Sequence, residues 1–137
     1  MNVLVIGVGG VGCALAIAAA KAGMETAVLA KGATAKSIHE YGLKRTGIFG
    51  EIAIPTGGVT VFEDYDSIKS EYDFVIIATK IMVNEQVAKE LANHKDILGQ
   101  NGRIVIFQNG WGNDASYRWH YEQTHRGIFC RDERGWL

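Results

Sequence analysis

Val3-Leu4-Val5-Ile6-Gly7-Val8-Gly9-Gly10-Val11-Gly12 stands near the start of the chain, and the rest is read from it. Four unbroken apolar residues, Val3 to Ile6, suit a parallel strand covered on both faces. They run straight into G-x-G-x-x-G. From Val11 to about Ala22 the residues are mostly small and apolar, which predicts a helix packed close to the sheet, and Gly23 is placed to end it. Strand, Gly-rich turn and helix in this order hold a dinucleotide pyrophosphate. Gly7 permits the tight turn, Gly9 lets backbone N–H groups approach the phosphates, and Gly12 lets the helix lie against the strand. The helix start then offers free N–H donors and a positive dipole end to the anion. The expected cradle is Gly7, Val8, Gly9, Gly10, Val11 and Gly12; a bare packing turn is the plainer alternative.

Working outward, Glu25 to Ala30 is a second strand, which completes a βαβ unit of about 30 residues. Lys31 to Tyr41 suits a short helix ending at Gly42. Ile52–Ile54 and Val59–Phe62 flank Pro55-Thr56-Gly57-Gly58 and read as an antiparallel excursion turning at Thr56-Gly57-Gly58. Asp73 to Ala78 is a central strand. Asn84 is placed to cap a helix to about Asn93, with Val87, Ala88, Leu91 and Ala92 on one face and Glu85 paired to Lys89 on the other. Arg103 to Phe107 is another buried strand. Asn113 or Asp114 can cap a helix through Tyr121, and Gly127 to Cys130 suits a last strand. The pattern predicts one α/β domain of Rossmann type over residues 1–137, with a doubly wound, mostly parallel sheet.

The chain has 137 residues, 47% of them hydrophobic and 21% charged, with a net charge of −1. That length suffices for one core, and the charge balance offers no basic field for nucleic acid. No apolar run is long enough to span a bilayer, and Met1 leads directly into a strand, which leaves no room for a signal peptide. The two cysteines, Cys13 and Cys130, are far apart. Reduced thiols in a cytoplasmic protein are expected.

The end of the second strand bears on the nucleotide. An acidic residue there accepts the ribose hydroxyls of NAD, but this strand ends Leu29-Ala30-Lys31, and Glu25 is at its other end. A lysine at that point attracts a 2′-phosphate through a charge-assisted hydrogen bond of about 1.5–3 kcal/mol, which favours NADP(H) over NAD(H). Lys36 or Lys44 is placed to assist. The plain alternative is that Lys31 is a solvated surface lysine.

Three segments together resemble the N-terminal domain of the ketopantoate reductases (2-dehydropantoate 2-reductases). They are the Gly-rich turn with its basic second-strand end, Asp73-Phe74-Val75-Ile76-Ile77-Ala78-Thr79-Lys80, and Ile104-Val105-Ile106-Phe107-Gln108-Asn109-Gly110-Trp111-Gly112. Tyr41-Gly42-Leu43 is similar to the family's segment after the second strand. The likeness covers about residues 1–115; residues 116–137 diverge. It implies reduction of a 2-keto acid by NADPH on the way to pantothenate. It implies that Lys80 lies near the nicotinamide ribose and that Asn109 sits between nicotinamide and substrate, the two candidate catalytic residues, with Thr79 among the cofactor-binding residues. The plainer alternatives are a surface lysine at a strand end and a simple turn at Asn109-Gly110. The family commonly carries a glutamine where Val83 stands. Its proton-donating lysine and substrate-binding glutamate belong to a helical second domain, and this chain stops short of one. Cofactor binding with little or no turnover is therefore expected of the chain alone, as a truncated or stand-alone module or with a complementary helical chain.

Other constellations carry less. His120, His125 and Cys130 have H-x4-H-x4-C spacing, which matches no strong zinc pattern, and no metal is expected. Cys13, on the helix after the glycines, reads as a packing residue. All three tryptophans (Trp111, Trp119, Trp136) lie in the last part of the chain, where they suit covering apolar surface within one chain or between two copies. A non-catalytic nucleotide-sensing module is the chief rival function, and a flavin-binding fragment the second.

Overall fold

The structure is a computed structural model and describes residues 1–48, 50–110, 112–121, 127–132 and 135–136, the backbone alone for 121, 127–132 and 135–136. The chain runs β1 (Asn2–Ile6), α1 (Gly10–Lys21), β2 (Glu25–Leu29), α2 (Gly32–Tyr41), β3 (Leu43–Arg45), β4 (Ile52–Ile54), β5 (Thr60–Phe62) and β6 (Tyr72–Ile77). It continues through α3 (Asn84–Asn93), β7 (Leu98–Ile106), α4 (Ala115–Tyr121), β8 (Gly127–Asp132) and β9 (Gly135–Trp136). The main sheet has the order β5-β2-β1-β6-β7-β8-β9. Every pairing from β5 to β8 is parallel; only β9 runs antiparallel, against β8. No helix among the described residues is long and apolar enough to cross a membrane.

The doubly wound character follows from side chains that alternate along each strand. Val3 and Val5 of β1, with Val28 of β2, pack under Ala16, Ile17 and Ala19 of α1 and Ala35 and Ile38 of α2. Leu4 and Ile6, with Leu29, Val75, Ile77, Ile104 and Ile106, pack on the opposite face under Val87, Ala88 and Leu91 of α3 and Tyr117 of α4. Burying each Val, Leu or Ile contributes about 1.5–3 kcal/mol. From β1 the chain winds one way to β2 and β5, then returns to β6 and winds the other way to β7 and β8. The C-terminal ends of β1 and β6 therefore flank the crevice where strand order reverses, and sheets of this kind bind ligands there.

Local readings and structure part in places. The expected antiparallel excursion is not a hairpin of its two runs. β4 pairs antiparallel with β3, through Leu43–Ile54, while β5 pairs parallel with β2, through Val28–Val61. The edge of β2 offers a ladder of unpaired backbone groups, and β5 completes it. β7 begins at Leu98, earlier than the expected Arg103, and a register irregularity near Tyr72 absorbs the polar Gln100-Asn101 stretch. Gly23 and Gly42 end α1 and α2 as expected: the N–H of Gly23 bonds the Ala20 carbonyl at 3.1 Å, and that of Gly42 the Ile38 carbonyl at 2.8 Å.

Candidate functional site

Gly7 leaves β1 with φ +92, and a Cβ there would come within 2.7 Å of the Thr79 methyl. A Cβ on Gly12 would strike the Gly7 carbonyl oxygen and lie 3.3 Å from the Ala78 side chain. Both glycines thus allow the start of α1 to press against the ends of β1 and β6. Gly9 is the N-cap residue, and no side chain caps the helix. The first turn holds no acidic residue, and among the described residues no side chain supplies its N–H groups with an anion. A Cβ on Gly9 or Gly10 would meet nothing within 4 Å. That open space over an uncapped helix start suits a diphosphate.

A cavity of about 420 Å³ opens there. Its floor is Ile6, Gly7, Val8 and Gly9; Leu29, Ala30, Lys31 and Thr34 form one wall, and Thr79, Val83, Gln86, Val87 and Glu90 the other, with Tyr65 between them. The size lies in the roughly 300–1,000 Å³ range of ligand pockets. Lys31 is the N-cap residue of α2, is exposed, and has no ion-pair partner among the described residues. The proposed assistants are elsewhere. Lys44 pairs with Glu51 at 2.8 Å on the β3–β4 hairpin, and neither it nor Lys36 lines the cavity.

Thr79 and Lys80 follow β6. Thr79 lines the cavity, whereas Lys80 is exposed at the head of a 3-10 turn, Ile81–Val83. Asn109, after β7, is exposed, and its carbonyl accepts a bond from Asn113 Nδ2 at 2.7 Å. Lys80 and Asn109 do not line the cavity itself; they stand at the ends of β6 and β7, across the Gly-rich turn from Lys31. Val83 lines the cavity at the place where the glutamine is common in the resembling family.

Asn84 is not a cap. It is the first residue of α3, is 7% exposed, and its amide is paired with Gln108. Glu85 turns to Ser116 and His120, and these hydrogen bonds, with the help of Lys89's charge, hold its carboxyl below the usual range. Burial pushes the Cys13 thiol up, against a weaker opposing bond to the Lys44 carbonyl at 3.8 Å, which suits a packing residue. Asp114 stands just before α4; its carbonyl accepts the Arg118 N–H at 2.8 Å and its carboxylate pairs with the Arg118 side chain. His120 Nε2 lies 3.4 Å from Glu85. His125, Trp111 and the side chains of Cys130 and Trp136 lie outside the described residues, and Trp119 is 82% exposed.

The residues that sequence reasoning passed over are Thr34, Tyr65 and the Gln86, Val87 and Glu90 face of α3. Their i, i+1, i+4 placement was a visible helical signal, but only the folded structure shows that this face lines the cavity together with the ends of β1 and β2.

Residues 3–129 match the family described as ketopantoate reductase PanE/ApbA. The chain belongs to that family. Among solved structures it is similar to 2-dehydropantoate 2-reductase from Methylococcus capsulatus, at 18% identity and TM-score 0.77, with 95% of this chain and 40% of that one covered. It is similar to a PanE/ApbA family ketopantoate reductase from Ralstonia eutropha at 22% identity and TM-score 0.78, with 95% and 40% covered. A D-mandelate dehydrogenase solved with NADH and anilino(oxo)acetate matches at 17% identity and TM-score 0.74, over 96% of this chain and 40% of that one. These likenesses show the fold, and the chain spans about 40% of the length of the ketopantoate reductases it matches. No curated protein sequence matches the chain significantly.

Proposed function

We propose that this chain is the NADP(H)-binding domain of a 2-dehydropantoate 2-reductase-like oxidoreductase, whose whole reaction is hydride transfer from NADPH to a 2-keto acid in the pantothenate pathway. The observation that carries the reading is the uncapped start of α1, open above Gly9 and Gly10, facing a cavity whose far wall holds Lys31, a lysine with no ion-pair partner among the described residues. The N–H groups of the first turn hold the diphosphate, and the apolar lining of Ile6, Leu29, Val83 and Val87 receives the adenosine half. The Lys31 ammonium bonds the 2′-phosphate. The nicotinamide half then crosses the Gly-rich turn toward the ends of β6 and β7.

Bound NADPH supplies the hydride. Lys80, with three N–H donors, is placed to bond ribose hydroxyls or a substrate carboxylate, and Asn109 both donates and accepts between nicotinamide and substrate. The group that protonates the developing alkoxide belongs, by family resemblance, to a helical second domain. Ile81, Met82 and Trp119 are exposed, apolar surface that supports contact with a helical chain or a second copy. The reading carries with it a cytoplasmic location.

Calorimetric titration of the protein and its Lys31→Asp variant with NADPH and NADH tests the assignment. NADPH is expected to bind the unaltered protein about ten- to a hundredfold more tightly than NADH, and the variant is expected to lose that preference. Equal weakening toward both cofactors in the variant argues against a 2′-phosphate contact. Absence of binding by either cofactor to the unaltered protein defeats the whole reading.

A further inference from the structure

Three polar residues are buried among the described residues: Thr26, Asn84 and Gln108. Thr26 is satisfied locally, its hydroxyl donating to the Met24 carbonyl at 3.0 Å. Asn84 and Gln108 face each other. Gln108 Nε2 donates to Asn84 Oδ1 at 2.8 Å, and Asn84 Nδ2 donates back to Gln108 Oε1 at 2.9 Å. The second proton of Gln108 Nε2 goes to the Thr79 carbonyl at 2.7 Å, and that of Asn84 Nδ2 to the Asn113 carbonyl at 3.3 Å. The Tyr117 hydroxyl donates to Asn84 Oδ1 at 3.4 Å. Every amide proton of the pair is used. Turning either amide over would oppose donor to donor and acceptor to acceptor, so the network allows one orientation.

The groups this pair joins give it a purpose. Thr79 precedes Lys80 in the loop after β6, and Gln108 precedes Asn109 in the loop after β7. Asn113 holds the second loop closed through the carbonyls of Asn109 (2.7 Å) and Gly110 (3.2 Å). A buried polar pair is rarely the most stabilising filling for a core, since two apolar side chains of like volume serve stability as well. What two apolar side chains lack is directional bonds that fix one backbone loop against another.

We infer that the Asn84–Gln108 amide pair is a positioning device that holds Lys80 and Asn109 in register for the nicotinamide half of the dinucleotide. The inference rests on the dinucleotide reading above and adds to it two residues that touch neither cofactor nor substrate. The pair's bonds go to Thr79, Asn113 and Tyr117, of which only Thr79 lines the cavity of the adenosine half, while the groups read as holding its phosphates, Lys31 and the start of α1, belong to other elements.

That division supplies the test. NADPH carries both halves, whereas 2′,5′-ADP carries only the adenosine half with its 2′-phosphate. In Asn84→Asp a carboxylate oxygen faces the Gln108 and Asn113 carbonyl oxygens. Binding of NADPH is expected to weaken about tenfold, with 2′,5′-ADP affinity held within about twofold. Enhancement of NADPH fluorescence on binding, which reports the nicotinamide ring, is expected to fall with it. The double variant Asn84→Leu with Gln108→Leu removes the bonds while keeping the core filled, and is expected to show the same split. Equal weakening toward both ligands, or no change toward either, overturns the inference while leaving the dinucleotide site intact. If the unaltered protein binds neither ligand, the dinucleotide reading falls and the inference with it. In the unaltered protein the side-chain amide resonances of Asn84 and Gln108 are expected to shift with NADPH and to stay in place with 2′,5′-ADP. Shifts of equal size with both ligands, or with neither, overturn the inference whether or not the variants fold.

Discussion

Gly9 and Gly12 sit three residues apart at the start of α1, yet the structure assigns them opposite sensitivities. A methyl group on Gly12 would collide with the backbone carbonyl oxygen of Gly7, which cannot swing aside as a flexible side chain would. Overpacking of this kind costs about 1–3 kcal/mol. Replacing a helical glycine by alanine returns about 1 kcal/mol, and because the obstacle is backbone the net loss falls at the upper part of the difference. Gly12→Ala is therefore expected to lower Tm by about 3–7 °C for a domain of this size. It is also expected to weaken NADPH, because α1 must move off the strand ends. Gly9 is different. Its backbone, at φ −81 and ψ −167, is open to any residue, and a Cβ there meets no protein atom within 4 Å. Gly9→Ala is expected to keep or slightly raise Tm, within about 0.5–1 kcal/mol of stability. Its methyl occupies the space through which the diphosphate reaches the helix start, so NADPH affinity is expected to fall at least about tenfold. Differential scanning calorimetry and calorimetric titration on both variants read the two effects separately. A Gly9→Ala protein that binds NADPH like the unaltered chain refutes the cradle; an unchanged Tm in Gly12→Ala refutes the close approach of helix and strand.

Two further outcomes follow from the titrating groups. The Asp66 hydrogen bond raises the pKa of His94, assisted by the Glu90 carbonyl, and the same bond to His94 lowers that of Asp66. The histidine's contribution to stability is full below its unfolded pKa of about 6.5 and is lost as pH rises through the higher folded value; the aspartate's is full above about 3.9 and is lost as pH falls through the lower folded value. Tm relative to a His94→Gln variant is thus expected to be greatest between about pH 4 and 6.5 and to decline toward pH 8, and a difference that stays flat from pH 5 to 8 rejects the pairing. Cys13, its thiol pushed up mainly by burial, is expected to react with iodoacetamide at neutral pH more slowly than a free cysteine peptide; peptide mapping that finds it labelled at the peptide's rate contradicts its packing role.

The opening βαβ unit was legible because each of its signals acts locally. An apolar run, three spaced glycines and a stretch rich in alanine each leave one option for the backbone, and β1, α1 and β2 follow. The β-like runs after Leu43 were legible as strands and not as partners. Nothing in Ile52–Ile54 or Val59–Phe62 tells whether the nearer or the farther edge offers the better ladder. The open edge of β2, some 30 residues back in the chain, is what decides it. Asn84 illustrates the same limit for the site. Asparagine before a helix reads as a cap, since caps use its side chain locally. Here the amide meets Gln108 from another strand end, and that meeting exists only after β6 and β7 lie side by side. Lys31 could be placed by counting along β2, whereas excluding Lys44 required seeing Glu51 beside it.

The cradle itself is open to one direct measurement, a backbone amide correlation spectrum of the labelled protein recorded with increasing NADPH. The largest movements are expected at Gly9, Gly10, Val11 and Gly12, with a second group at Lys31 to Thr34 that shrinks when NADH replaces NADPH. A titration that leaves those amides in place, or moves only residues distant from the turn after β1, contradicts the account.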